Sequence, residues 1–521
     1  MSKISQLNYD IQFEPIFTDF TFNGIEIITL TTTPTTSFRL NAAELEIKNC
    51  HLIHNGKTIK AESVLNIKQE TLVIKFSKKV SGKVKICIEF TGVLNDRLLG
   101  FYRSKYKDAS GKTKHLATTQ FEAADARRAF PCWDEPAVKA TFDVSLLVEK
   151  NMTAISNMPE RSKKNVNSKT LVEFQRTPIM STYLLYLGVG EFEFLEDNLR
   201  NIKIRVVTTK GNRKKAHLSL ELTKKFLSEY EKYFGIKYPL PKLDMLAIPD
   251  FAAGAMENWG AITFRETILL YDSKTSSTRT KQYIAEVISH EIAHQWFGDS
   301  VTEADWNHLW LSEGFATYFG NLFFEDEDGE KIFQDKMENN RKRIVNSKNT
   351  NRPIIDPENK DLFKLLNSNN YPKGGWVLHM LRGYMGDELF FNGIRKYYEL
   401  YKYKTAMTKD FQSVMENIKG ENLDWFFGQW LYNPGFPIIS YKEKWNYSEG
   451  SDGSLSVKIS QIQKNEWPIF IIPTEICWGK ENCKPIRINK RMQSYEFDFE
   501  SKPQKVGILD PKGWILKDIS N

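Results

Sequence analysis

The stretch Val287–Ser300, VISHEIAHQWFGDS, sets His290 and His294 four residues apart and puts Glu291 directly after the first. On a helix that spacing is one turn, so both imidazoles leave one face and can meet at a single ion. Glu291 then stands where its carboxylate can reach a water held by that ion. Two histidines on a helix surface would give the same five residues, so the assignment turns on what else the chain supplies.

Zinc bound by two imidazoles needs a third protein ligand and an open position for water. Downstream, LSEGFATYFG (Leu311–Gly320) carries Glu313 inside an apolar helical stretch. A buried carboxylate without a partner is costly, so this one wants a cation. Eighteen residues separate His294 from Glu313, room for a helix end, a loop and a return helix. Glu286 and Glu325 compete for the position, but both lie in charged or solvent-facing settings. His290, His294 and Glu313 are therefore the expected ligands of one zinc ion per chain.

Elements of two kinds must position this group. Residues 1–195 read as a β domain of short strands: in KVKICIEF, Val84, Ile86, Ile88 and Phe90 alternate with Lys83, Lys85, Cys87 and Glu89. TLVIKF (Thr71–Phe76) and YLLYLGVGEFEF (Tyr183–Phe194) have the same texture, and together they suggest a sandwich. Apolar residues then recur at three- and four-residue spacing. Leu218, Leu222, Phe226 and Tyr230 mark one face of a helix ending near Gly235, and residues 281–298, 309–324, 373–386 and 409–418 predict further helices. After NPGFPIIS (Asn433–Ser440), strand character returns in SLSVKISQI, WPIFIIPTEICW and KVGILDP. EDEDGE (Glu325–Glu330) has its glycine too early for an EF-hand and reads as a solvated turn. The expected fold is multidomain α+β, with domains at 1–195, 196–437 and 438–521.

Bulk properties fit that plan. A chain of 521 residues exceeds one core, and 41% hydrophobic with 13% aromatic residues suits a packed globular protein. The net charge of +7 comes from 72 basic and 65 acidic side chains spread along the chain, without a basic block interleaved with aromatics, so no nucleic-acid partner is expected. No run approaches the roughly 18 apolar residues of a membrane span, so no membrane association is expected, and the N-terminus lacks the apolar core of a secretory signal. Five cysteines (Cys50, Cys87, Cys132, Cys477 and Cys483) are few and odd in number. Cys477 and Cys483 could pair across a WGKEN turn, but a reducing, cytoplasmic compartment with free thiols is the expectation.

HEIAHQWFG and LSEGFATY, together with GAMENWGAITFRE (Gly254–Glu266), TQFEAADARRAFPCWDEP (Thr119–Pro136) and YPKGGWVLHML (Tyr371–Leu381), resemble the gluzincin aminopeptidases of the M1 type in order and spacing over nearly the whole chain. The resemblance implies an N-terminal β-sandwich or saddle domain, a thermolysin-like α-rich catalytic domain and a small C-terminal β-sandwich. It implies a zinc-dependent aminopeptidase acting on peptides with a free N-terminus. Glu291 would be the general base and acid, and Tyr371 would stabilise the oxyanion. Glu257 and Glu122 would hold the α-ammonium, a place where many members carry Gln instead of Glu122. Gly254 and Ala255 would let a substrate approach as an added strand, and Met256, Gln120 and Phe121 would line the first side-chain pocket.

Two departures from the family pattern stand out. Gly320 occupies a place where relatives often carry an acidic residue, so support for the metal is expected from elsewhere, for instance Thr317 one turn after Glu313. Many relatives also continue into a large helical domain, so a homo-oligomer or a separate subunit is a possible replacement for it. Epoxide hydrolysis, a related activity, goes with Asp and Tyr eight and five residues before the matched tyrosine; this chain has Phe363 and Leu366 there. A catalytically inactive scaffold and a metalloendopeptidase are the remaining alternatives.

Overall fold

The computed structural model describes residues 3–327, 329–446, 453–478, 482–499, 510 and 512–520. These form two compact units, one of Met1–Asp305 with Tyr401–Ala406 and one of Trp306–Leu400 with Met407–Asn521.

The first unit opens with an eight-stranded sheet in the order Glu160–Val166, Lys169–Phe174, Thr141–Glu149, Ile4–Ile16, Thr21–Asn41, Thr71–Val93, Glu46–His54, Lys57–Asn66. Alternation drives it: Val84, Ile86, Ile88 and Phe90 are buried while Lys83, Lys85 and Glu89 face solvent. A four-stranded sheet follows, ordered Gly100–Lys107, Thr113–Gln120, Leu187–Gly190, Thr153–Ser156. The run expected as one strand over Tyr183–Phe194 is instead a 3₁₀ turn, Thr182–Leu184, followed by two strands.

A five-stranded sheet runs Phe192–Leu199, Ile202–Thr209, Lys242–Ile248, Ala261–Arg265, Ala255–Met256. Every residue of Lys242–Ile248 is buried between parallel neighbours, which is why this strand shows no alternation in the sequence. Its one basic group, the Lys242 ammonium, donates to Asp244 at 2.7 Å, and Arg205 donates to both oxygens of the same carboxylate at 2.6 Å. The helix His217–Phe234 ends at Gly235, as expected, with φ of 65°. Its inner face is Leu220, Thr223, Phe226, Tyr230 and Phe234, and Leu218 and Leu222 flank it.

The second unit holds the helices Trp310–Glu327, Glu330–Val345, Gly374–Met385, Asp387–Tyr401, Thr408–Lys419 and Asp424–Leu431. Three of these, Glu330–Val345, Asp387–Tyr401 and Asp424–Leu431, lie outside the sequence expectation. The expected turn at Glu325–Glu330 is helical through Glu327, with Gly329 opening the next helix. Strands Met492–Phe499, Gly453–Gln461, Ile438–Asn446 and Asp518–Ile519 make a four-stranded sheet, and Ile472–Trp478 pairs with Asn482–Ile488. The KVGILDP stretch lies outside the described residues apart from Asp510. The register places Cys477 opposite Cys483, and the two form a disulfide. The expectation of free thiols therefore fails for this pair, while Cys50, Cys87 and Cys132 are free. N-terminal β-rich, helical and C-terminal strand regions together make a multidomain α+β protein. No helix among the described residues is long and apolar enough to cross a membrane.

Candidate metal centre and substrate site

The helix Thr278–His294 starts at Ser277, whose hydroxyl accepts from the Thr280 N–H at 3.1 Å. It ends four residues before the periodicity predicts. Beyond Gln295 the backbone folds back, with Gly298 N–H donating to Val301 O and Val301 N–H to Trp296 O. Gly298 has φ of +137°, and a Cβ there would stand 2.8 Å from His294 Nδ1, so only glycine fits. This reversal brings the Phe297 carbonyl to 3.1 Å from His294 Nδ1. The carbonyl requires the proton on Nδ1, which leaves the lone pair of Nε2 pointing outward.

His290 Nε2 lies 3.1 Å from His294 Nε2. Two imidazole nitrogens held by a tetrahedral zinc at ordinary Zn–N lengths stand about 3.3 Å apart. His290, His294 and Glu313 offer ligand atoms that all lie within 4.8 Å of one another. Glu313 is 3% exposed near the start of the Trp310–Glu327 helix. The competitors are otherwise engaged: Glu286 is exposed, and Glu325 pairs with Arg382 at 3.0 Å. Donor types, spacing and tautomer all fit zinc.

Glu291 follows the first histidine and is 6% exposed. In the second unit Tyr371 is half-buried in a π-helical turn, Asn369–Lys373. Pro372 has no N–H to donate, and the ladder around it lengthens: Lys373 N–H reaches Ser368 O and Gly374 N–H reaches Asn369 O. Thr317 has its methyl group against Gly375.

Glu257 lies at the turn after the edge strand Ala255–Met256 and is 4% exposed. Glu122, half-buried, follows the strand that ends at Gln120. Gln120 donates from Nε2 to the Met256 sulfur at 3.4 Å, so those two residues share one wall. Gly254 precedes the edge strand, and Ala255 pairs with Phe264 on its inner side. The field here is negative. Burial raises the Tyr183 hydroxyl well above its ordinary range, and Glu303, Glu257, Asp299 and Glu122 push it further. Burial likewise raises the Asp299 carboxyl, with Glu257 adding to it, while His294 and Lys139 pull the other way.

Sequence reasoning missed four residues around this group. Gln295 and Asp299 are both fully buried polar residues in the apolar run after His294, a visible signal. Tyr183 donates to the Gly298 carbonyl at 3.3 Å, and Lys139 Nζ donates to the Asp299 and Ser300 carbonyls, both at 3.2 Å. Burial pulls the Lys139 ammonium down to about 7 against the opposing pull of Asp299 and Glu303.

The Peptidase M1 N-terminal domain matches residues 5–184 and the Peptidase family M1 domain matches residues 218–430. The chain belongs to peptidase family M1. It is 37% identical over 504 residues to Aminopeptidase M1 of Arabidopsis thaliana, covering 94% of this chain and 56% of that protein. To the alanine/arginine aminopeptidase of Saccharomyces cerevisiae it is 38% identical over 455 residues, covering 85% and 53%. Aminopeptidase M1-B of Oryza sativa subsp. japonica is 36% identical over 524 residues, covering 99% and 59%. The chain spans a little over half the length of these relatives.

Proposed function

We propose that this protein is a zinc-dependent aminopeptidase, a peptidase hydrolase that removes N-terminal residues from peptides. The observation that carries the reading is the His290–His294–Glu313 group, with Glu291 on the same helix as the two histidines. Held by His290, His294 and Glu313, zinc would supply Lewis-acid chemistry that activates water near neutral pH. Glu291 takes the proton of the attacking water and passes it to the leaving amine. Tyr371 donates its hydroxyl to the oxygen on which charge develops.

Exopeptidase action requires a fixed seat for the α-ammonium. Glu257 and Glu122 take that role, within a field made more negative by Glu303. A blocked N-terminus brings no charge to this seat and leaves its carboxylates uncompensated. The open side of the edge strand Ala255–Met256 takes the substrate backbone, and Met256 and Gln120 line the first side-chain pocket. We also place the protein in the cytoplasm, a reading supported by three free cysteines and opposed by the Cys477–Cys483 bond.

The test is the initial rate on fluorogenic aminoacyl amides, each beside its N-acetylated twin, in protein of measured zinc content. Hydrolysis of the free-amine forms alone is expected. Equal cleavage of both makes the protein an endopeptidase, and no cleavage at full zinc occupancy makes it an inactive scaffold.

A further inference from the structure

We propose that Gln295 is a positioning residue that fixes the distance between the amine seat at Glu257 and the histidine pair, and so restricts the site to α-amino substrates. This rests on the aminopeptidase reading above. An aminopeptidase measures from the ammonium to the scissile carbonyl, so the seat and the metal ligands must be held at one separation. Glu257 is on a turn at a sheet edge, whereas His290 and His294 are on a helix. Some group has to join the two.

Gln295 does this with every hydrogen bond its amide can make. It is 0% exposed and directly follows His294. Its Oε1 accepts from Gly260 N–H at 3.0 Å and from the Tyr238 hydroxyl at 3.3 Å. Its Nε2 donates to the Glu257 carbonyl at 2.9 Å and to Asp299 Oδ2 at 2.7 Å. An amide has two acceptor sites and two donors, so the group is saturated, and a flipped orientation would set N–H against N–H.

The partners are not scattered. Glu257 directly precedes, and Gly260 lies within, the turn Asn258–Ala261, which Ala261 N–H closes by donating to the Asn258 carbonyl at 2.8 Å, so one side chain grips this turn at two places. The far side of that grip is also anchored: Lys242 donates to the Gly260 carbonyl at 2.7 Å, and the single proton of the Tyr238 hydroxyl is shared between Gln295 Oε1 and Lys242 O, the latter at 3.1 Å. Asp299 in turn hangs on the backbone reversal that orients His294, since its N–H donates to the His294 carbonyl at 3.0 Å. Seat, turn, helix end and histidine are thus one hydrogen-bonded unit with Gln295 at its centre. A buried network of this kind defines a geometry because each bond loses its alternatives once water is excluded.

The experiment compares L-alanyl and β-alanyl coumarin amides, isomers in which the second inserts one methylene between amine and carbonyl. The full zinc-loaded chain is used, with zinc content measured on each variant. Wild type is expected to prefer the L-alanyl form strongly. Gln295→Met keeps the volume and removes all four bonds. It is expected to retain zinc while the alanyl to β-alanyl ratio of kcat/KM falls by about ten- to a hundredfold, mainly through KM for the alanyl substrate. In a Glu257→Ala background the same substitution should leave the ratio where Glu257→Ala put it. An unmoved ratio, with both rates falling in parallel, overturns the assignment, as does an additive fall in the Glu257→Ala background. Should Gln295→Met fail to fold, Tyr238→Phe removes one bond into Oε1 and is expected to shift the ratio in the same direction; no shift there overturns it equally. Wild-type protein that leaves the alanyl amide intact sinks the aminopeptidase reading itself, a result separate from an unmoved ratio.

Discussion

Gly314 and Gly374 meet backbone to backbone: a Cβ built on Gly314 would lie 2.9 Å from the Gly374 carbonyl carbon, and one built on Gly374 would lie 3.0 Å from the Gly314 Cα. Glu313 immediately precedes the first glycine, and the π-helical turn bearing Tyr371 immediately precedes the second. The Asn370 carbonyl lies 3.4 Å from the same imagined Gly314 Cβ. The close approach of the two helices therefore sets how the expected ligand Glu313 and the expected oxyanion donor Tyr371 are spaced.

Gly314→Ala forces those backbones apart, because neither partner is a side-chain end that can swing away. Overpacking of this kind costs about 1–3 kcal/mol, and here the displacement falls on functional residues. Zinc affinity and kcat should both drop, while Gly428→Ala, inside the helix Asp424–Leu431 where nothing stands within 4 Å, should disturb neither. Zinc titration beside steady-state kinetics checks this. Wild-type values for both in Gly314→Ala would remove the glycine contact from the account.

Glu291 and His294 differ in what their loss should do. Glu291→Gln keeps the shape of the side chain and removes the proton acceptor, so zinc should stay at one per chain while kcat falls by about 10²–10⁴-fold. His294→Ala removes a ligand whose tautomer is fixed by the Phe297 carbonyl, so zinc content and activity should fall together. Chelation should abolish wild-type activity and added zinc restore it. Metal analysis of both variants separates the roles, and loss of zinc from Glu291→Gln would contradict the division.

The histidine pair was legible because helical spacing is a local property: four residues along the chain are one turn whatever surrounds them. Glu313 was legible for a related reason, since a carboxylate in an apolar helical run has few bland explanations. The reversal at Gly298 was not, because the hydrophobic pattern runs on through Trp296 and Phe297 and only the backbone shows where the helix stops. Lys139 was out of reach altogether. Its partners Asp299 and Ser300 are 160 and 161 residues away, a pairing that only the folded unit creates. The strand Lys242–Ile248 was missed for want of a period, as a run buried on both faces has none to show.

Substitution at the amine seat should act on binding of the charged end. Glu257→Gln exchanges a carboxylate for a neutral amide at 4% exposure, leaving the substrate ammonium without its counter-charge. Breaking a buried charge pair from one side costs about 2–4 kcal/mol, so kcat/KM for a free-amine substrate should fall steeply. The half-buried Glu122 should cost less when changed to Gln. Cleavage of the N-acetylated twin should stay negligible in both variants. A loss at Glu122→Gln equal to that at Glu257→Gln would show that exposure does not rank the two.

Lys373 gives a pH prediction for stability. Its side chain is fully buried, Nζ has no hydrogen-bond partner among the described residues, and burial pulls its pKa from 10.5 down to about 7. Between those two values the unfolded chain holds the proton and the folded chain does not, so unfolding takes up a proton. Stability must then rise with pH from about 7 to 10.5 on account of this group, and below about 7 the folded state carries a buried, unpaired ammonium at its greatest cost. Lys373→Met removes the charge and keeps most of the volume. It should stabilise the protein by on the order of 2 kcal/mol at pH 6, with the gain shrinking steadily as pH approaches 10. Paired thermal melts of wild type and variant across pH 6–10 read this directly; a difference that stays constant over that range would mean that Lys373 is not neutral in the folded protein at alkaline pH.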